Sequence, residues 1–460
     1  MSRRSLLGAG LAAAAAGLTG CAKPTSASWA DPAPPSGAAA PGAAGAGPSA
    51  TAPRPAATPT RSAATPRPAA TPTTVAVAGA PYVSKLTAIL QRYLKPTPEN
   101  PQHPTYAGAV ALVMVNGAVT AHVAVGHALR YGAGPVELAA ARRVPMRPDS
   151  VFDLASITKV HTALLVLKQA DRGRVDLDAP VARYLPGFTG TGKDRVTVRM
   201  LLTHTSGLPV GATVAGLPSL AEKRRAVLAT PLVKGAVPGA VFRYSSVGLM
   251  VAAMLVEQVT GQRLDAALKA DLTGPLGLRD TGFNPLTWLS AADQASRLVA
   301  TDARSSRGLL RGVVHDDVAN LMGGIAGSAG IFATAGDVAA IGQLLLDGGV
   351  HRGVRVLSAA TCRAALANAN QGLPAIDAER PGRPSDHGLG VVLRQPWFMG
   401  RLSTPATFGH TGFTGTSLLV EPRRRLVLVL LTNRAHPNWS WANPDPVRRA
   451  VADLLADAVG

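Results

Sequence analysis

Cysteine, aromatic residues and acidic residues are all scarce in this 460-residue chain. Its two cysteines, Cys21 and Cys362, cannot build a disulfide framework or a cysteine metal site. Aromatic residues make up 4% of the chain and are not interleaved with runs of lysine and arginine, which excludes the usual pattern of a nucleic-acid surface. The 27 acidic residues stand against 46 basic ones, a formal net charge of +19. We interpret this excess as an arginine-rich composition with attraction to anionic surfaces, and we expect no nucleic-acid partner.

The N-terminal residues 1–21 have the pattern of an export signal. Arg3 and Arg4 form a twin-arginine pair ahead of an apolar run, Leu6 to Leu18, that is too short for a comfortable membrane span. The tetrapeptide LTGC, which ends at Cys21, is similar to a bacterial lipobox, in which the cysteine is lipidated. We therefore expect an exported bacterial lipoprotein, held by acyl chains at the outer face of the cytoplasmic membrane. The alternative is an ordinary cleaved signal and a secreted protein.

The next segment, residues 22–81, is rich in proline, alanine and threonine and almost free of large apolar side chains. The octapeptide PRPAATPT occurs in it twice, at 53–60 and at 66–73. Such a segment buries too little surface to offset its ordering entropy, so we expect a disordered linker. The composition changes near Tyr82, which marks the start of one globular domain, residues 82–460.

Hairpins are predicted near both ends of this domain. An amphipathic helix in YVSKLTAILQRYL precedes AVALVMVNGAVTAHVAVG, which contains the strong turn signal Asn116-Gly117. A second hairpin in TGTSLLVEPRRRLVLVLLTN precedes a helix in DPVRRAVADLLADAVG. Because the middle of the chain is mostly helical, we expect the two terminal parts to pair in one antiparallel sheet flanked by helices, with a helical insertion between them.

One short segment carries the first chemical signal. Residues 152–173 read FDLASITKVHTALLVLKQADRG, with apolar residues at helical spacing, a stop at Gly173, and Ser156 and Lys159 one turn apart. Apolar neighbours and the helix N-terminus both favour a neutral lysine amine, which can accept a proton, whereas arginine stays protonated. Alone the S-x-x-K spacing is a weak motif, because about half an occurrence is expected by chance in such a chain.

Four further segments accompany this one in a fixed order. They read LLTHTSGLP, PGAVFRYSSVGLMVAAMLVEQVTGQ with Tyr244, GPLGLRDTGFNP, and FGHTGFTGTSLLVEP with His410. Together with FDLASITK they resemble the serine β-lactamase and penicillin-binding-protein superfamily, in its class C-like branch of β-lactamases, D,D-carboxypeptidases and esterases. The resemblance covers residues 82–460 and implies a β-lactamase/D,D-peptidase-like fold of the α/β (α+β) class. In that fold an antiparallel sheet flanked by helices meets a mainly helical lobe, with the active site between them.

The resemblance implies a role for three residues of the helical part. Ser156 is the expected nucleophile, Lys159 its proton acceptor or electrostatic partner, and Tyr244 the residue that passes a proton to the leaving group. The tyrosine triplet ends in Ser246 where the family usually has asparagine. Serine also caps helices, so we expect Ser246 to preserve the local geometry while shortening the reach towards a substrate amide.

The C-terminal segment supplies the expected substrate-binding strand. His410, Thr411 and Gly412 take the place of the family's K-T-G triplet, and histidine can still donate a hydrogen bond to a substrate carboxylate. We expect Gly412 to let substrate lie close to the strand. The oxyanion hole is expected to consist of the backbone N–H groups of Ser156 and Phe413.

Other candidate site residues have alternative interpretations. AGSAG around Ser328 is similar to a variant nucleophile elbow, in a loop that we expect to line the substrate cleft. His315 and Asp316 could ligate a metal, but no second cluster at ligand spacing accompanies them. His204 is interpreted as structural.

These patterns predict an exported, membrane-tethered serine hydrolase that forms an acyl-enzyme on Ser156. The expected activity is D,D-carboxypeptidase-like or esterase-like, on peptidoglycan stem peptides or small amides and esters. β-Lactamase activity is an alternative, and a non-catalytic penicillin-recognising lipoprotein that binds the cell wall is an alternative of another class. We expect no metal, no organic cofactor and a monomer.

Overall fold

A computed structural model describes residues 79–377 and 380–460. Its strands are β1 Gly108–Val115, β2 Ala118–Leu129, β3 Tyr131–Gly132, β4 Val136–Glu137, β5 Val144–Pro145, β6 Phe152–Asp153, β7 Gly282–Phe283, β8 Ala300–Asp302, β9 Leu310–Arg311, β10 Ile331–Ala333, β11 Val350–His351, β12 Val354–Arg355, β13 Val392–Leu393, β14 Phe408–Thr411, β15 Ser417–Glu421 and β16 Leu426–Thr432. Its α-helices are α1 Val83–Arg92, α2 Thr158–Asp171, α3 Val198–Leu202, α4 Leu220–Ala229, α5 Ser246–Thr260, α6 Leu264–Leu268, α7 Ala291–Arg297, α8 Asp317–Leu321, α9 Ala335–Leu346, α10 Ala359–Leu366, α11 Pro396–Met399 and α12 Asp445–Ala458.

The predicted export signal, most of the predicted linker and the lipid attachment at Cys21 lie outside the described residues. They stay predictions, as does the domain boundary near Tyr82. Within the described part, α1 begins one residue later, at Val83.

The main sheet has seven antiparallel strands in the order β13-β14-β15-β16-β1-β2-β5. β1 pairs with β16 from Ala109 opposite Thr432 to Val115 opposite Leu426. The N-terminal and C-terminal parts of the domain therefore meet at the centre of one sheet, which confirms the predicted fold.

Local turn chemistry sets the register of the first hairpin. Asn116 and Gly117 have φ values of +52° and +79°, as a type I′ turn requires, and they join Val115 to Ala118. A two-residue turn that follows the right-handed twist of the strands leaves little freedom for another register. Both predicted hairpins are confirmed.

Both faces of the sheet are covered. Along β1, Ala109, Ala111 and Val113 lie in the core cluster shared with α1 and α12. The alternate residues of the strand lie in the larger cluster shared with α2, α5 and α9. A strand buried on both sides has no polar face, which explains the continuous apolar run in its sequence.

The helical lobe packs around α2 and α5. The sequence predicted one buried face for α2, but every residue from Thr158 to Leu167 is buried. The helix lies inside the larger core cluster rather than at its edge. Burial on all sides brings Lys159 into the interior of the protein.

Candidate active site

The segment around Ser156 makes a tight turn between a strand and a helix. β6 ends at Asp153, a 3-10 turn spans Ala155–Ile157, and α2 begins at Thr158. Ala155 has a φ of +47°, a left-handed conformation that is strained for alanine, and its N–H donates to Asp153 Oδ1 at 2.8 Å. The turn presents Ser156 at the N-terminal end of α2, where its sequence position predicted it.

Lys159 lies one turn further along the chain and is 1% exposed. Its Nζ donates to Ser156 Oγ at 2.9 Å and to the Ser328 carbonyl oxygen at 2.9 Å. The Ser328 carbonyl belongs to the glycine-rich loop 323–330. The loop therefore holds the amine against the serine hydroxyl.

Ser328 itself is an interior residue rather than a nucleophile. Its side chain is 0% exposed, and its Oγ has no hydrogen-bond partner in the part of the chain that the structure describes. The loop packs tightly on α5, since a Cβ at Gly327 would lie 2.1 Å from the Leu249 carbonyl oxygen. We expected the loop to line the substrate cleft, and its Ser328 carbonyl does contact Lys159. Burial of the Ser328 hydroxyl argues against the alternative nucleophile.

Tyr244 approaches the same serine from the start of α5. Its hydroxyl donates to Ser156 Oγ at 2.7 Å, although the two residues are 88 positions apart in the chain. Lys159 Nζ lies 4.9 Å from the centre of the tyrosine ring. The structure thus brings Ser156, Lys159 and Tyr244 into one hydrogen-bonded set, which we call the proton-transfer group.

The helix after Tyr244 is capped by Ser245, not by Ser246 as the sequence suggested. Ser245 Oγ accepts the Gly248 N–H at 3.0 Å, and Ser246 is the first helical residue. The Ser246 N–H donates to the Val210 carbonyl at 3.1 Å. The cap therefore does not depend on position 246, and the part of Ser246 in substrate binding stays a prediction.

His204 packs against the tyrosine and supports its position. The residue is buried with a φ of +57°, and its Nδ1 accepts the Ser245 N–H at 3.0 Å. Its ring centre lies 4.6 Å from that of Tyr244. Burial lowers the pKa of His204 well below its ordinary value, so the ring is neutral. His204 is a positioning residue for Tyr244.

The facing wall of the site is the end of β14, and residues 410–413 are called the recognition strand below. β13 pairs with Phe408 and Gly409 alone, so His410 and Thr411 have no strand partner on that side among the described residues. Open backbone at this position can accept an extended substrate as an added strand.

Gly412 is required by packing within the protein. A Cβ at this position would lie 2.1 Å from Thr416 Oγ1 and 2.4 Å from the Leu154 carbonyl oxygen. Thr416 Oγ1 also donates to Leu154 O at 3.0 Å, and Thr414 Oγ1 donates to Asp153 O at 2.8 Å. We expected the glycine to make room for substrate, but its first task is to let the strand approach the serine turn.

Two backbone donors are left unpaired where these segments meet. The N–H groups of Ser156 and Phe413 donate to no acceptor in the described part of the chain. Arg448 of α12 supports the strand end, because its Nη2 donates to Gly412 O at 3.1 Å and to Thr416 O at 2.8 Å. Burial lowers the pKa of Arg448 to about 10, so it remains protonated at neutral pH. Paired, preorganised N–H groups are what an oxyanion hole requires.

His410 is neutral and its proton is already engaged. Its side chain is 3% exposed, and Nδ1 donates to the Thr411 carbonyl oxygen at 2.8 Å. Burial lowers the pKa of His410 to about 3. Nε2 therefore carries a lone pair, and it has no partner among the described residues. In this state His410 cannot make the donation to a substrate carboxylate that the sequence suggested.

Two residues near His410 were missed at the sequence level. His387 is fully buried, with Nδ1 2.6 Å from the Gly388 carbonyl oxygen, and burial lowers its pKa to about 4. The Arg383 side chain is 7% exposed, pairs with Asp377 at 2.8 Å, and contributes to the lowered pKa values of His387 and His410. No fixed spacing marks these residues, because they reach the site from a separate loop before β13.

His315 and Asp316 have separate structural tasks. The His315 N–H donates to Asp153 Oδ2 at 2.7 Å, and its Nε2 lies 3.3 Å from Asp302 Oδ2. Asp316 Oδ1 accepts the Ala319 N–H at 2.8 Å and caps α8. Among residues 79–377 and 380–460, no group of three or more His, Cys, Asp or Glu side chains is arranged to hold a metal.

This geometry agrees with comparisons against known proteins. A family model described as Beta-lactamase matches residues 86–453. A putative D-alanyl-D-alanine carboxypeptidase of Escherichia coli (strain K12) is 31% identical over 319 residues, 62% of this chain and 70% of that protein. An N-acetylmuramyl-L-alanine amidase of Bacillus subtilis (strain 168) is 29% identical over 358 residues, 72% of this chain and 78% of that protein.

A solved structure shares the architecture. EstCE1, described as a hydrolase with promiscuous acyltransferase activity, superposes with a TM-score of 0.60 at 21% identity, over 81% of this chain and 98% of that one. At this identity the match supports the fold. The sheet, the helical lobe and the Ser-Lys-Tyr set define a serine hydrolase of the β-lactamase and penicillin-binding-protein class. The chain belongs to the beta-lactamase family, in the class C-like branch that the sequence predicted.

Within the described residues, no helix is both long and apolar enough to cross a membrane.

Proposed function

We propose that this chain hydrolyses acyl compounds through a covalent acyl-enzyme on Ser156. The observation that carries the proposal is the pair of hydrogen bonds to Ser156 Oγ, from Lys159 Nζ at 2.9 Å and from Tyr244 OH at 2.7 Å. A hydroxyl held by two titratable groups beside unpaired N–H donors is the arrangement that an activated nucleophile needs.

The reaction proceeds in two balanced halves. Ser156 Oγ bonds to the substrate carbonyl carbon, and its proton passes to Lys159 Nζ, a transfer that requires the unprotonated amine, while the two N–H groups hold the oxyanion. As the bond to the leaving group breaks, Tyr244 gives its proton to that group and is reprotonated by Lys159. Water then attacks the ester carbon and loses a proton to the same pair, Ser156 regains a proton, and the acid is released.

Peptides that end in D-alanine form the first substrate class. The support is the similarity to the Escherichia coli protein, a putative D-alanyl-D-alanine carboxypeptidase. Small peptides of the cell wall also suit an open strand edge at His410 and Thr411.

Uncharged esters and amides form a second class, which one observation favours. A family triplet with lysine offers a charge to the substrate carboxylate, whereas His410 is neutral and has no proton on Nε2. The nearby cation, Arg383, is already paired with Asp377. A leaving group without a carboxylate therefore fits this pocket better. The non-catalytic binder alternative rests on the sequence departures at Ser246 and His410, whereas the β-lactamase alternative rests on the catalytic residues that this family shares.

We further propose that the protein acts as a monomer at the outer face of the cytoplasmic membrane, tethered there by lipid on Cys21. The support is the twin-arginine pair and the LTGC tetrapeptide. Metabolic labelling with an alkyne fatty acid tests the tether. Wild type should carry the label in the membrane fraction, and Cys21→Ser should lose it.

Covalent labelling tests the nucleophile. Wild type should react with a fluorescent fluorophosphonate or penicillin, and peptide mapping should place the adduct on Ser156. Ser156→Ala should abolish labelling, while Ser296→Ala, a matched exposed serine on α7, should not. An adduct on Ser328 or undiminished labelling of Ser156→Ala would refute the scheme. A stable adduct without turnover would favour the binder alternative.

A matched pair of substrates separates the two classes. A D-alanyl-D-lactate depsipeptide and its methyl ester differ only in the charge of the leaving group. If His410 decides recognition, the methyl ester should be cleaved at least as fast as the free acid. A strong preference for the free acid would instead support the carboxypeptidase activity and would assign the carboxylate to another cation, such as Arg383.

A further inference from the structure

Phe413 combines two features that are rarely found together. Its backbone N–H is one of the two unpaired donors beside Ser156, and its side chain is 44% exposed. A single exposed apolar residue is ordinary on a protein surface. Exposure of the ring therefore does not by itself indicate a binding role.

The Phe413 ring differs from an ordinary surface ring because neighbouring side chains hold it in place. The ring centre of Trp439 lies 5.6 Å away at an interplanar angle of 57°, and that of His315 lies 5.4 Å away at 32°. The Arg434 guanidinium lies 4.7 Å from the ring centre and donates to the Phe413 carbonyl oxygen at 3.1 Å. Two segments distant from each other in sequence, at residue 315 and at residues 434–439, therefore fix a side chain that solvent still reaches.

The neighbours of Phe413 are themselves anchored. The His315 N–H donates to the buried Asp153 carboxylate at 2.7 Å, and Arg304 lies 5.9 Å from the Trp439 ring centre. Arg304 makes a paired contact with Asp302 at 2.8 Å. The aromatic surface is preorganised, so a ligand that covers it loses little additional conformational entropy in the protein.

The chemistry indicates which part of a substrate reaches this surface. In the tetrahedral intermediate the leaving group must face its proton donor, Tyr244. The acyl chain is the remaining substituent and points away from that donor. The ring contacts of Tyr244, with His204 and Lys159, share no residue with those of Phe413. The two rings therefore belong to separate side-chain clusters, and the assignment of the acyl chain to the Phe413 cluster is the step that the experiment below tests.

We propose that the side chains of Phe413 and Trp439 form an acyl-group subsite that selects substrates with an aromatic or branched apolar acyl chain. The inference rests on the proposed acyl-enzyme function and adds the class of acyl group that it accepts. The guanidinium groups of Arg304 and Arg434 beside the rings disfavour an acyl chain with a positive charge.

The test holds the leaving group constant and varies the acyl group. With p-nitrophenyl esters, wild type should cleave phenylacetate with a higher kcat/KM than acetate. Phe413→Ala should lower kcat/KM for phenylacetate by about 10- to 100-fold, because an aromatic contact of this size is lost. The ratio of the phenylacetate value to the acetate value should therefore fall, since a methyl group does not reach the ring.

Two further variants serve as controls. Phe413→Leu should restore much of the preference, because it refills the apolar surface without changing the backbone donor. Leu220→Ala removes a side chain of similar exposure, 49%, on α4 and should change neither substrate. Thermal unfolding of each variant checks that the fold is intact.

The outcomes separate this inference from the proposed function. If turnover depends on Ser156 but Phe413→Ala lowers both esters equally, or neither, the acyl subsite is refuted and the hydrolase stands. If wild type cleaves no ester and Ser156 takes no fluorophosphonate, both fail together. Retention of the phenylacetate preference in Phe413→Ala would also overturn the proposal.

Discussion

The proton-transfer group and the recognition strand face each other across one site, yet they differ in how they are built. Ser156, Lys159 and Tyr244 are joined by direct hydrogen bonds of 2.7 and 2.9 Å. Along the recognition strand, the His410 side chain bonds, among the described residues, only to the Thr411 carbonyl, and Phe413 is half exposed. The chemical step is thus specified by contacts within the protein, whereas recognition is left open for a ligand to complete.

The same comparison explains where the site departs from its family pattern. A change of Ser156, Lys159 or Tyr244 would break a bond already present in the resting protein. A change at position 410 or 413 alters what a substrate meets, while the strand remains held by Thr414, Thr416 and Arg448. Substrate class can therefore change without loss of the catalytic machinery.

The largest effect is expected for Lys159→Met. The variant lacks the amine that receives the Ser156 proton, and general base groups contribute about 10²- to 10⁴-fold. We expect kcat/KM for p-nitrophenyl acetate to fall by about 10³-fold. Lys168→Met, on the same helix, is the matched control and should retain activity, because that amine bonds to the Val356 carbonyl instead. Equal losses in both variants would place the effect in folding.

The next effect is expected for Tyr244→Phe. Removal of the hydroxyl takes away the proton donor to the leaving group and one hydrogen bond to Ser156. The loss in kcat should be about 10²-fold for an amide and smaller for a p-nitrophenyl ester, whose leaving group needs little protonation. Tyr82→Phe, which loses a hydroxyl bonded to Thr120, is the control. Equal losses for amide and ester would argue against a proton donor role.

A smaller effect is expected on the side of the recognition strand, for Arg448→Met. The guanidinium holds the carbonyl groups of Gly412 and Thr416, which bracket the Phe413 donor. We expect kcat to fall by about 10-fold with a smaller change in KM, less than deletion of an oxyanion donor itself. Arg449→Met, its exposed neighbour, should behave as wild type, and Arg448→Lys should recover part of the loss. A rise in KM with kcat unchanged would contradict this role.

The smallest effect is expected on stability in mild acid. Folded His410 has a pKa of about 3, against an ordinary value of 6.5 in the unfolded chain. Between those values the unfolded state binds more protons, so the free energy of unfolding decreases as the pH falls. The stabilisation that comes from the neutral His410 ring is fully present only above about pH 6.5. His410→Gln should flatten the dependence measured by urea unfolding. His103→Gln is the control, and an identical slope in both variants would show that His410 does not titrate in this way.

Much of the fold was predictable because its signals are local. Asn116-Gly117 fits a type I′ turn whatever surrounds it, and Gly173 and Gly261 each adopt positive φ after their helices. Ser156 and Lys159 share a helix, so spacing alone places their side chains together. The cap at Ser245 was missed because two adjacent serines offer the same chemistry, and only the backbone decides which one is used.

The sequence by itself determined the catalytic set, because Ser156, Lys159 and Tyr244 occur in motifs whose chemistry requires those residue types. Only the tertiary structure decided the state and surroundings of the recognition strand. Packing directs the Nδ1–H of His410 to the Thr411 carbonyl and places Arg383 and His387, from a separate loop, near His410. It also leaves the Phe413 ring exposed beside Trp439. Burial and contacts between distant segments control these properties, and no local pattern of residues encodes them.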